Sequence, residues 1–154
     1  MNRPGRVIAS AAMILALFGP PALAQAPESI FGTYQRQSVT CGGGPGFADR
    51  SGPIECRSTF EDRLEITPGA SPDTVFVVFG LHFGYSDYCA FRGHGTWSKG
   101  KIVLDGSEKP LPSSCRLEVS IVKSGASLSD PEDNCDAVLC TAPQKLHGVT
   151  YRKP

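Results

Sequence analysis

Every second residue from Val75 to Phe83 is apolar: Val75, Val77, Phe79, Leu81 and Phe83. Successive side chains of an extended chain point to opposite faces, so these five share one face of a strand. Phe76 and Val78 add apolar bulk to the other face. The same period of two recurs in Cys115, Leu117, Val119 and Ile121, opposite Arg116, Glu118 and Ser120. It recurs again in Phe60, Leu64 and Ile66, opposite Thr59, Glu61, Arg63 and Glu65. Helical periodicity is nearly absent after residue 27, which excludes helical and mixed folds and predicts an all-β chain. Asp62 is the one charge on its otherwise apolar face. It marks a bulge, an inward polar contact or a ligand-facing carboxylate.

Turn residues separate these runs: PGASPD at 68–73, SKG at 98–100, DGSEKPLPSS at 105–114, SG at 124–125 and DPEDN at 130–134. Strands are expected over 30–36, 56–67, 74–83, 88–97, 101–105, 115–123, 126–129 and 148–153. The glycine- and proline-rich stretch from Cys41 to Cys56 is too poor in apolar residues for a strand and reads as a long loop. Seven to eight antiparallel strands at this spacing predict a small up-and-down barrel, with an open β-sandwich as the alternative. Closure would pair "FGTYQR" at the start with "GVTYRK" at the end and so remove exposed sheet edges.

The first residues stand apart from this pattern. Arg3 and Arg6 precede an apolar run from Val7 to Phe18, and Ala22-Leu23-Ala24 follows with small residues. That order is a secretory signal peptide, and its apolar run is shorter than the roughly 20 residues a membrane-spanning helix takes. Residues 1–24 are therefore expected to be removed, leaving 25–154 as a single barrel domain in the periplasm or outside the cell. Of the 15 Lys and Arg residues, Arg3 and Arg6 leave with this segment, so 13 basic residues face 15 acidic ones, a net charge of −2. Nucleic acid and anionic membranes call for a basic patch, so neither is an expected partner.

All 6 cysteines, Cys41, Cys56, Cys89, Cys115, Cys135 and Cys140, lie beyond the signal segment. An even number in a small exported chain reads as three disulfides. Zinc ligands come in repeated pairs two to four residues apart, whereas the closest pair here is Cys135-x4-Cys140. The bridges expected are Cys41–Cys56 around the glycine-rich loop, Cys89–Cys115 between two inward strand positions, and Cys135–Cys140 across a short turn.

The densest polar stretch is HFGYSDYCAFRGHGTW, from His82 to Trp97. On a strand, Cys89, Phe91, Gly93, Gly95 and Trp97 form a core face, and Gly93 and Gly95 leave room for a bend or bulge. Tyr88, Ala90, Arg92, His94 and Thr96 form a solvated face. A His82/Asp87/His94 cluster is the one enzymatic reading, since an aspartate can orient a histidine as a general base. No third metal ligand and no nucleophile elbow accompany it, so no catalytic residue, metal or cofactor is assigned. His82, Arg92, His94 and Ser124 are instead the candidate binding surface. As wall residues, His82, Arg92 and His94 are each expected to cost within about 0.5 kcal/mol on truncation to alanine. Asp130, Glu132, Asn134 and Asp136 alternate like calcium ligands, but Cys135 and Thr141 stand where such a loop needs glycine and glutamate. They read as an acidic surface loop. GGGPG at 42–46 lacks the Gly-Lys-Ser/Thr that completes a phosphate loop.

From Cys89 with Gly93, through Cys115-Leu117-Val119 and the pair Cys135 and Cys140, to Gly148 with Tyr151-Arg152, the chain resembles a group of small exported, cysteine-containing bacterial β-barrel proteins. That resemblance implies location and fold rather than an activity. Ser124-Gly125-Ala126-Ser127 is similar to the S-G-x-x-Y loop of periplasmic inhibitors of c-type lysozyme, with Leu128 where the motif has tyrosine. The function expected is a non-enzymatic binding protein, in particular an inhibitor of a hydrolase such as lysozyme. The alternative is a carrier of a small hydrophobic ligand, with Phe76, Phe79, Phe83, Phe91 and Trp97 lining a cavity. Mass spectrometry of the exported protein should find a chain beginning at Gln25; one that begins at Met1 refutes the signal-peptide reading.

Overall fold

The computed structural model describes residues 25–41, 56–83, 87–106 and 111–154. Their alternating strands form a closed antiparallel barrel in sequence order: β1 (Gly32–Cys41), β2 (Cys56–Pro68), β3 (Thr74–His82), β4 (Tyr88–Ser98), β5 (Lys101–Gly106), β6 (Glu118–Val122), β7 (Gly125–Ser129) and β8 (Thr150–Arg152). A four-residue helix, α1 (Asp136–Leu139), lies between β7 and β8. The sheet closes where the two termini were expected to meet, with Gln35 of β1 opposite Arg152 of β8. The open sandwich is therefore excluded. The signal segment 1–24 and the loop 42–55 lie outside the described residues.

Parity decides the core. Val75, Val77, Phe79 and Leu81 are buried along β3, while Phe76 and Val78 on its other face are only half-buried. Leu64 and Ile66 of β2, Cys89 and Phe91 of β4, Ile102 and Leu104 of β5, Val119 of β6 and Leu128 of β7 complete the interior. Burying a large aliphatic or aromatic side chain contributes about 1.5–3 kcal/mol, so this shared face is the main stabilising term. At the lower end Ile30 plugs the barrel, and its carbonyl accepts the Tyr34 hydroxyl at 2.7 Å.

Two glycines are required by close approach. The β4–β5 register shifts between His94 and Gly95, and a Cβ on Gly95 would meet the Ile102 side chain and the Val103 carbonyl. A Cβ on Gly125 would collide with the Tyr151 carbonyl, so glycine is what lets β8 lie against β7.

The elements differ from expectation in several places: β1 opens at Gly32 after a turn over Glu28–Ile30, β8 covers only Thr150–Arg152 of the expected 148–153, and α1 replaces the short turn expected between Cys135 and Cys140. β1 runs on to Cys41 rather than ending near residue 36, because β2 pairs with it along that whole length. β6 begins at Glu118, three residues later than expected, since Cys115 N–H closes a turn on the Pro112 carbonyl at 2.8 Å.

The disulfides correct two of the expected bridges. Cys89 bonds Cys140, with Cα atoms 4.0 Å apart, and Cys115 bonds Cys135, at 4.5 Å. Cys89–Cys115 fails because β5 separates β4 from the turn that carries Cys115, and Cys89 lies five residues along β4 beyond His94, where the pairing with β5 ends. Cys135 and Cys140 flank α1 and face different walls: the backbone of Cys140 bridges to Cys89, and Cys135 points to the start of β6. Both bonds pin the segment between β7 and β8 across the upper end of the barrel. The backbone register sets Cys41 opposite Cys56; the side chains of this expected bridge lie outside the described residues.

Asp130 departs from the acidic-loop reading. It is buried, and its Oδ2 accepts the Cys135 N–H at 3.0 Å, capping the turn before α1. Glu132 and Asn134 are exposed and Asp136 is half-buried.

Candidate functional site

Register brings three inward polar side chains to one level at the upper end. Arg36 of β1 pairs with Asp62 of β2, and the Gln35–Arg152 pair sets Tyr151 of β8 beside Arg36 on its other side. Asp62, the anomalous charge of the sequence, is buried with its side chain 0% exposed. Of the three readings open for it, the structure selects the inward polar contact. Its Oδ2 lies 3.5 Å from Arg36 Nη1. Its Oδ1 accepts both the backbone N–H of His82 at 2.9 Å and His82 Nδ1 at 2.8 Å.

The His82 position follows from where β3 parts from β2 while still paired with β4. Arg63–Gly80 is the last β2–β3 pair at this end, so the His82 N–H has no strand carbonyl to reach and donates to the Asp62 side chain instead. The ring follows its backbone. It stacks on Phe60 with centroids 4.5 Å apart and planes 9° from parallel, and it lies 4.9 Å from the Tyr88 ring. A carboxylate only accepts, so Nδ1 carries the proton it shares with Asp62, on a ring whose side chain is 33% exposed. Phe83 sits with its ring 5.8 Å from the Arg36 guanidinium.

The cluster is incompletely satisfied. Arg36 Nη1, Ser38 Oγ, Asp62 Oδ2 and the Tyr151 hydroxyl are buried without a hydrogen bond. Burial pushes the Tyr151 phenol far above the ordinary tyrosine range; Asp62 and Tyr88 add to the rise and Arg36 opposes it.

Of the expected surface residues, only His82 belongs to this site. It is no wall residue, because loss of strand pairing turned it onto a buried carboxylate. Arg92 and His94 stay on the outer wall around Phe76, the guanidinium 5.8 Å above its ring and the imidazole edge-on at 5.2 Å. In register His82 faces Tyr88 whereas His94 faces Phe76, so six strand residues, or about 20 Å, separate the two histidines. Asp87 accepts from Gln144 Nε2 at 3.2 Å. The His82/Asp87/His94 cluster is thus not one site. Ser124 lies in the β6–β7 turn at the opposite end, exposed, with its carbonyl accepting the Lys153 N–H. Among the described residues, no group of His, Cys, Asp and Glu is arranged to hold a metal ion.

Arg36 and Ser38 were not singled out from the sequence, and Phe60 and Tyr151 entered it only as a core-face residue and as part of the closing motif. The expected meeting of "FGTYQR" with "GVTYRK" named the right segments but not the register: aligned end to end it sets Arg36 opposite Gly148, three residues from the observed level of Tyr151. Fold and site together define a small disulfide-stapled antiparallel barrel with a polar rim built on one buried carboxylate. Compared with family models, curated proteins and solved structures, the chain finds no match.

Two outcomes follow from this geometry. His82→Ala should cost about 1–3 kcal/mol, because it strips a hydrogen bond from a buried carboxylate, while Arg92→Ala and His94→Ala stay within about 0.5 kcal/mol in denaturant titration. Equal small effects at all three positions would return His82 to the wall. The second concerns alkaline pH. A raised folded-state pKa means the native chain keeps a proton that the unfolded chain loses, so stability falls as pH rises past the unfolded tyrosine value of about 10. Tyr151→Phe should flatten that alkaline loss relative to the parent, read as midpoint against pH; an unchanged alkaline slope contradicts it.

Proposed function

We propose that this chain is an exported, non-enzymatic binding protein that inhibits a hydrolase, with the His82 rim as its contact surface. The observation that carries the reading is how the interior is occupied. Tyr34, Leu64, Ile66, Phe79, Leu81, Ile102, Leu117, Leu128 and Tyr151 all point inward and are at most 2% exposed. Binding is thereby moved from the barrel interior to its outside. The aromatic set that a carrier would use is divided: Phe79 and Phe91 stack on one another at 5.8 Å in the core, whereas Phe76 lies under Arg92 on the outer wall.

The rim has what a protein contact uses. Tyr88 and Phe60 offer aromatic area beside His82, and aromatic residues with a polar tip dominate the energetics of such interfaces. Asp62 fixes the orientation of His82 on the rim, so the ring would be presented to a partner in one pose. Two disulfides support an oxidising compartment, the periplasm or the exterior. The likeness of Ser124-Gly125-Ala126-Ser127 to the lysozyme-inhibitor loop favours a hydrolase of that kind as partner. Gly125 and Ala126 are buried in the β7 ladder, however, which leaves Ser124 at a tight turn, so the contact is proposed at the other end.

The test is titration of c-type lysozyme with the disulfide-bonded protein. Cell-wall lysis should fall to a stoichiometric end point, and Tyr88→Ala should weaken inhibition at least about tenfold, the equivalent of 1.4 kcal/mol. Undiminished lysis at molar excess overturns the lysozyme reading. Saturable one-to-one uptake of a fatty acid or an apolar dye overturns it in favour of a carrier.

A further inference from the structure

An antiparallel strand with one face to water carries polar side chains on that face. β3 does not. Phe76 and Val78 stand on its outer face, half-buried, and Gly80 follows them with no side chain. The register sets their neighbours level with them: Glu65 of β2 and Arg92 of β4 flank Val78, and Thr67 and His94 flank Phe76. Glu65, Arg92 and His94 are exposed. At the level of Val78 the wall therefore reads acid, apolar, base across three strands.

The acid and the base do not neutralise each other within the chain. Two strand spacings put their backbones about 10 Å apart. The Arg92 guanidinium lies over the Phe76 ring at 5.8 Å, and among the described residues neither Glu65 nor Arg92 is in an ion pair. Arg63, one level along, is already held by Glu61 at 3.1 Å.

We propose that this face packs against the same face of a second copy of the chain, about a two-fold axis that runs along β3. Such an axis sets each residue of β3 against its own copy and lays β2 of one copy over β4 of the other. Phe76 and Val78 cover their own equivalents, and Glu65 of each copy meets Arg92 of the other, twice in the dimer. Arg63 comes over Ala90 and Thr67 over His94, so no like charges oppose one another. An axis across the strands would set Glu65 on Glu65 and Arg92 on Arg92. An isologous contact needs a patch complementary to itself, and acid and base at equal distances from an apolar column meet that need. Stacked sheets keep their strands within about 30° of each other, which leaves Glu65 in reach of Arg92. The patch measures about 13 Å along β3 by about 10 Å across, less than the roughly 800 Å² per partner of a standard interface, so the dimer is a weak one.

The experiment is light scattering on the disulfide-bonded protein from low micromolar to near-millimolar concentration. The mass should rise toward twice that of one chain. Glu65→Arg and Arg92→Glu each set like charges against each other across the axis, and each alone should stay at the mass of one chain. Mixed one to one they should form a heterodimer, because a chain with two bases then faces a chain with two acids. Val78→Lys, with like charges at the axis itself, is the further variant should either fail to fold, and it too should stay single. Val122→Lys, at an exposed position on β6, should dimerise like the parent. A single-chain mass for the parent at every concentration overturns the proposal. So does dimerisation retained by the charge-reversed variants, or a mixture of the two that stays at one chain. Lysozyme binding that Glu65→Arg abolishes, with a parent that stays single, also overturns it and assigns the face to the enzyme.

Discussion

The barrel depends on a three-residue strand. β8 joins β7 to β1, and without Thr150–Arg152 the sheet would be an open one with two free edges. So short a strand contributes few ladder hydrogen bonds, so its placement rests on what surrounds it. Gly125 lets the Tyr151 backbone approach β7, and the Tyr151 ring fills the core. Lys153 reaches the Ser29 carbonyl at 2.7 Å and lies over the Tyr34 ring, tying the last residues to the plug at the lower end. The segment leading into β8 is held from above by both described disulfides, which limit how far it can depart from the barrel.

The same seam explains the site. Bringing β8 to β1 sets Tyr151 beside Arg36, and the β1–β2 register sets Arg36 beside Asp62. A carboxylate buried in an apolar barrel is costly unless it is paired and hydrogen-bonded. Asp62 has a guanidinium from the middle of β1 around it, and a backbone N–H and an imidazole from the end of β3, where its pairing with β2 has stopped. Where a barrel frays, main-chain groups lose their partners, and one acidic side chain can collect them. The cost is imperfect satisfaction, visible in the unbonded hydroxyls of Ser38 and Tyr151.

Much of the fold was legible in particular residues. Val75 to Leu81 announces its buried face by alternation alone, and Gly95 announces the bulge beside His94. Asp62 was legible as an anomaly, though not its partners. Strand parity put His82 on the outer wall, and that argument holds only while a strand is paired on both sides. At His82 the pairing with β2 has ended, so the side chain follows the carboxylate instead. Cysteine pairing failed for a related reason. Cys89 and Cys115 are both buried, but parity does not report that Cys115 lies in a turn before β6, on the far side of β5 from β4.

The sequence by itself determined the strand class, the positions of most turns, the inward set and the up-and-down order, because each is set by period-two alternation and by neighbours along the chain. It also carried the means of closure in its first and last strands. Tertiary structure alone decided which cysteines meet, that His82 and Asp62 form the rim while His94 stands on a distant part of the wall, and that β8 meets β1 over so short a length. Those outcomes depend on the length of β8 relative to β1 and on where the β7–β8 segment crosses the barrel. Both are contacts between residues far apart in sequence, and local periodicity has no access to them.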